Sequence, residues 1–168
     1  MKKTLEKINE LVETGIITRY AIAGGMGQFY YIEPSVTYDL DVIVNLAFEK
    51  NKLNPLEDVY RWAKENNYKS IEEHIIIEGI PVRFLPAYND LVTEALNNAV
   101  EIELYKIKTF IFKPEYLMAI MLQTNRPKDR ERLIKFFEEA DFSLEVFNNI
   151  LERFSLVEKY SEFKKRFQ

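Results

Sequence analysis

The 168-residue chain is 47% apolar, with 12 Phe and 10 Tyr, which excludes a disordered protein and provides for one domain with a sizeable core, or a domain with a helical extension. It has no cysteine and one histidine, His74; a disulfide framework, a thiol nucleophile and multi-histidine zinc patterns are excluded, so any metal falls mainly to carboxylates. The net charge of −4 argues against general electrostatic coating of nucleic acid, and no apolar run approaches the roughly 20 residues of a membrane-spanning helix.

The opening Met1-Lys-Lys-Thr-Leu-Glu-Lys7 leads into an amphipathic pattern rather than a signal core, so we expect a cytoplasmic protein with no membrane association. Leu5, Ile8, Leu11 and Val12 recur at helical spacing and predict a helix over about 3–14, ended by Gly15. Arg19-Tyr-Ala-Ile-Ala23 reads as a strand running into Gly24-Gly25, after which 26–32 reads as a short helix stopped before Pro34. Residues 38–46 form the next predicted strand. Asn54-Pro55-Leu-Glu57 predicts a helix start with an Asn cap, and that helix turns Val59, Trp62 and Ala63 inward. Residues 72–77 and 80–85 read as strands of a hairpin around Glu78-Gly79, residues 90–100 as a helix and 104–112 as β-rich. From Pro114 onward only helical periodicity remains, over about 116–122, 130–140, 144–154 and 156–167. The expected organisation is an α/β core over 1–112, a mixed β-sheet flanked by helices, and a helical C-terminal part over 113–168.

The chemistry concentrates between Ala21 and Val44. Alternation along a strand sends Asp39 and Asp41 to one face, where two like charges need solvent, a cation or a shifted pKa to coexist. A divalent cation with oxygen ligands compensates them most directly, whereas an exposed, merely solvated pair is the plainer alternative. Gly24-Gly25 between strand and helix lets a backbone approach an anion closely, although glycine is also common in such turns for backbone reasons. The loop is neither a dinucleotide fingerprint nor a P-loop. Farther on, the Arg126-Pro-Lys128-Asp129 run either binds an anionic ligand or is an ordinary helix start with acidic residues in its first turn. His74 reads as a surface or capped histidine. Trp62, Tyr116, Met118 and Met121 lie at core spacing.

An apolar strand, Gly24-Gly25, a short helix and then Asp39-Leu-Asp41 among apolar residues resembles the signature of the DNA polymerase β-like nucleotidyltransferase superfamily. With Thr37 two residues before the pair, the form is most similar to the AbiEii/AbiGii-type toxin and stand-alone enzymes; Pro114 to Asp129 is similar, more faintly, to the family's helix followed by an Arg…Lys-Asp element. The resemblance implies a nucleotidyltransferase-like fold and transfer of a nucleoside monophosphate from NTP·Mg²⁺ to a hydroxyl of RNA, protein or a small molecule. It implies Asp39 and Asp41 as catalytic ligands of Mg²⁺ or Mn²⁺, and Gly24, Gly25, Thr37, Arg126, Lys128 and Asp129 around the nucleotide, to which Arg83 would add positive charge by its own chemistry. The sequence departs from the pattern at two positions: Val82-Arg83-Phe84 stands where the family carries a third carboxylate, and Met121 where AbiEii-like enzymes often carry lysine. Arginine cannot ligate Mg²⁺ or act as a base. Either Glu78, Glu101 or Glu103 replaces the missing group, or the chain is a catalytically degraded nucleotide binder of the same fold, part of a toxin–antitoxin pair.

Overall fold

The computed structural model describes residues 1–33, 39–46 and 54–167. Two compact units divide the chain, one comprising Met1–Gly27 with Val36–Phe112, the other Gln28–Ser35 with Lys113–Gln168.

The first unit is built on a mixed sheet. Among the described residues its elements run α1 (Lys2–Glu13), β1 (Ile17–Ala23), α2 (Gly24–Gln28, whose last residue falls in the second unit), β2 (Leu40–Leu46), α3 (Glu57–Glu65), β3 (Lys69–Ile71), β4 (His74–Ile77), β5 (Ile80–Pro86), α4 (Asp90–Asn97), β6 (Val100–Leu104) and β7 (Ile107–Ile111). The strand order is β3-β4-β5-β2-β1-β7-β6. β2 pairs antiparallel with β1 and parallel with β5, and β1 pairs parallel with β7. These central strands are buried on both faces, which accounts for their near-continuous apolar runs.

Adjacent β1 side chains locate the covering helices. Tyr20 bonds Asn9 of α1 at 2.7 Å and Thr109 of β7 at 2.9 Å, whereas Arg19 reaches the carbonyl of Asn97, at the end of α4, at 2.9 Å. Neighbouring residues of a strand point to opposite faces, so α1 and α4 cover opposite sides of the sheet. Leu5, Ile8 and Leu11 are fully buried on the α1 stripe, each worth about 1.5–3 kcal/mol of transfer free energy. Gly15, at φ +74°, ends that helix as expected.

Several boundaries differ from the sequence reading. The helix after β1 begins at Gly24 itself and closes at Gln28. α3 starts at Glu57 rather than Pro55, because the Asn54 side chain accepts from the Leu56 amide at 3.0 Å and holds a turn ahead of the helix. The exposed strand β3 was not foreseen, and the predicted 104–112 segment is the second arm of a β6–β7 hairpin turning at Tyr105 and Lys106.

In the second unit the described helices are α5 (Pro114–Thr124), α6 (Pro127–Glu139), α7 (Leu144–Arg153) and α8 (Val157–Phe167). Phe137 centres an aromatic cluster with Phe142, Phe147, Tyr160 and Phe163 at ring separations of 5.6, 5.9, 5.8 and 6.0 Å. The buried Glu115 carboxylate accepts from the Ser143 amide at the start of α7, at 2.7 Å. Met121 is buried, and its sulfur accepts from Gln28 at 3.9 Å, so it packs.

Candidate functional site

Strand pairing assembles the polar cluster. Across the antiparallel β1–β2 pair Ala23 faces Asp41, which brings the first residue of α2, Gly24, alongside the Asp41 side chain. Gly24 has φ +59°, and a Cβ built there would lie 2.3 Å from Asp41 Oδ2. Glycine is required for backbone and for space. On the other edge of β2 the parallel register sets Asp41 beside Arg83 of β5. Arg83 Nε donates to Asp41 Oδ1 at 2.8 Å, Nη2 lies 2.8 Å from the same oxygen, and Nη1 lies 3.5 Å from Glu73 Oε2. The Arg83 and Asp41 side chains are 28% and 18% exposed. The hydrogen bond to Asp41 raises the guanidinium pKa further above its ordinary value, so Arg83 is charged at any accessible pH.

Asp39 lies at the entrance to β2, with its Oδ2 3.7 Å from Nε2 of His74. His74 Nε2 is buried without a hydrogen-bond partner. Sequence reasoning gave His74 no acidic neighbour and passed over Glu73. The signal was the Glu78-Gly79 turn: a two-residue loop pairing Ile77 with Ile80 runs the ladder to Ile75 opposite Val82, leaving His74 and Arg83 at its open end.

The candidates for a replacement third carboxylate lie elsewhere. Glu101 and Glu103 sit on β6, three strands from β2 at an edge of the sheet, and Glu101 pairs with Lys108 at 2.9 Å. Glu78 occupies the hairpin turn and accepts from Tyr68 at 2.9 Å. Among the described residues no group of three His, Cys, Asp or Glu is placed to hold a metal ion. Asp41 has one oxygen taken by Arg83 and the other set against Gly24. The described residues, with Arg83 already on Asp41, therefore do not fit the divalent ion that the resemblance implied.

The remaining predicted residues fall in three places. Gly25 is buried in α2 and its φ is not positive. Thr37 lies outside the described residues. Arg126, Lys128 and Asp129 belong to the second unit, where Asp129, 2% exposed, accepts from Thr124 at 2.7 Å and from Arg126 Nε and Nη2 at 2.6 and 3.0 Å. Burial opposes the Asp129 charge, but the bonds from Arg126 and Thr124 outweigh it and hold the carboxyl below its ordinary value. Asp129 caps α6 and Lys128 is exposed.

No protein-family model matches the sequence, and a search among curated proteins finds no significant relative. Solved structures do resemble it. An antigenic nucleotidyltransferase-like protein from Paracoccidioides brasiliensis superposes at a TM-score of 0.54 and 14% identity, over 98% of this chain and 91% of that one. The solution structure of the antibiotic-resistance factor ANT(2'')-Ia superposes at 0.51 and 11% identity, over 97% and 94%. The fold is the nucleotidyltransferase fold. Identities this low fix the fold and leave the substrate to the site. Within the nucleotidyltransferase fold, the seven-stranded sheet presents Gly24, Asp41 and Arg83 together at one end of β2.

Proposed function

We propose that the protein binds a nucleoside triphosphate at the turn formed by Gly24 and Gly25, with Arg83 supplying positive charge to the phosphates. The observation that carries this reading is the part-buried Arg83–Asp41 pair, set into two largely apolar strands and against a glycine turn shaped around the carboxylate. An ion pair at such a position is a poor source of stability compared with apolar residues of similar volume, so its presence points to a ligand. A guanidinium is suited to bind phosphate oxygens in a bidentate manner. α2 is only five residues long, and its dipole adds little.

The second reading is nucleotidyl transfer from NTP·Mg²⁺ to a hydroxyl of RNA, protein or a small molecule, by an AbiEii-like enzyme, with Asp39 and Asp41 on the metal. The meeting of Asp41 with the glycine turn, with Asp39 two residues before it, favours it, and the engagement of Asp41 by Arg83 opposes it. The binder reading is compatible with a role in a toxin–antitoxin pair.

The experiment is calorimetric titration with each of the four NTPs, with Mg²⁺ and in EDTA, together with pyrophosphate release in the presence of RNA and protein acceptors. NTP binding without pyrophosphate release supports the binder. Sustained release establishes the transferase, and the absence of NTP binding in either buffer overturns both.

A further inference from the structure

The cluster already holds a cation. Asp41 Oδ1 accepts from Nε of the Arg83 guanidinium at 2.8 Å and lies 2.8 Å from its Nη2, while Glu73 reaches the same guanidinium from the β3–β4 connection at 3.5 Å. Asp41 Oδ2 lies where a Gly24 side chain would be, so an ion approaching it would share the carboxylate with the guanidinium already on Oδ1. A divalent ion needs several oxygens in a shell, and to recruit Asp41 it would have either to sit against the positive charge of Arg83 on the same carboxylate or to displace it and leave a part-buried guanidinium with only the exposed Glu73. Change of pH cannot release the pair from the arginine side, because the guanidinium does not deprotonate. Asp39, with His74 beside it, is 41% exposed, and an exposed carboxylate is a weak metal ligand.

We propose that Arg83 is the resident cation of this site: it occupies the carboxylate a divalent ion would need, excludes that ion, and leaves the site to take its phosphate-bearing ligand free of metal. Exclusion of the ion stands on the geometry alone; the metal-free ligand rests on the nucleotide reading given above.

The test uses Mn²⁺ alone, followed by the electron paramagnetic resonance signal of the free ion, on the parent, Arg83→Met and Arg83→Lys. Arg83→Met keeps the aliphatic stem and removes the charge, whereas Arg83→Lys keeps a charge. The parent and Arg83→Lys are expected to take up little Mn²⁺, and Arg83→Met to gain at least about tenfold in affinity, equivalent to about 1.4 kcal/mol. Tight Mn²⁺ uptake by the parent overturns the proposal, as does a folded Arg83→Met that gains nothing over the parent. Because parent uptake is read on the unaltered protein, a variant that fails to fold leaves that refutation open. NTP titration in EDTA runs alongside: a parent that excludes Mn²⁺ yet binds no NTP refutes the nucleotide reading and leaves Arg83 as the resident cation.

Discussion

Gly24 and Asp41 share one space: the carboxylate of Asp41 lies where any side chain on Gly24 would have to go, 2.3 Å from an ideal Cβ. Gly24→Ala therefore has two penalties. The left-handed backbone at φ +59° costs a non-glycine residue about 1–3 kcal/mol, and the methyl group also pushes Asp41 away from Arg83. We expect at least that loss in urea unfolding. Gly15→Ala is the control, since Gly15 has φ +74° but nothing within 4 Å of its Cβ position, and it should show the backbone penalty alone. Equal losses for the two variants would refute the shared-space account.

Asp129 makes stability depend on acid. Its folded pKa is depressed, so its contribution is complete above the unfolded value near 3.8 and is lost as the pH falls through the folded value. Asp129→Asn should cost about 1–3 kcal/mol at neutral pH, through the charge-assisted bonds from Arg126 and Thr124 and the cap of α6. The difference between parent and variant should stay constant above about pH 4 and shrink below it. Urea unfolding across that range reads it directly, and a difference that grows on acidification would contradict the assignment.

Legibility followed the local signals. The Glu78-Gly79 turn announced one hairpin because glycine accepts positive φ, at +82°, without strain. The β6–β7 hairpin turns through Tyr105 and Lys106, at φ +53° and +64°, with no residue that advertises a turn, and so it was missed. β3 was hidden because Lys69, Ser70 and Ile71 are all exposed and carry no alternation. At the site, Gly24, Asp41 and Arg83 were legible as residue types. The partner of Arg83 was not, because the parallel β2–β5 register depends on contacts far apart in the chain. The Arg126-Lys128-Asp129 run allowed either a ligand or a helix start, and the contacts of Asp129 with Arg126 and Thr124 within its own unit are those of a helix start.

That hidden hairpin yields a prediction. Replacing Tyr105-Lys106 by Asn-Gly supplies the residues a turn with two positive φ angles favours, and should stabilise the fold by about 1 kcal/mol, by relief of left-handed strain. Tyr105 is 61% exposed, so little packing is lost. A fall in the urea midpoint would show that the turn conformation is wrong.

Asp41→Asn separates the readings of the site. Two aspartates facing each other would repel, and neutralising one would then stabilise the free protein. Arg83 reverses the sign: Asp41 is compensated at 2.8 Å, and removal of its charge weakens the charge-assisted bond and the ion pair while Arg83 remains part-buried. We expect a loss of about 1–2 kcal/mol at neutral pH, reduced in high salt. The same substitution relaxes the hold on the guanidinium, so NTP affinity in EDTA should rise if Arg83 receives the phosphates. A metal-ligand role for Asp41 gives the opposite result, loss of Mg²⁺-dependent NTP binding with no gain in EDTA. Titration of parent and variant in both buffers, beside urea unfolding of the free proteins, decides between them; a variant more stable than the parent and unable to bind NTP·Mg²⁺ would refute the Arg83-centred site.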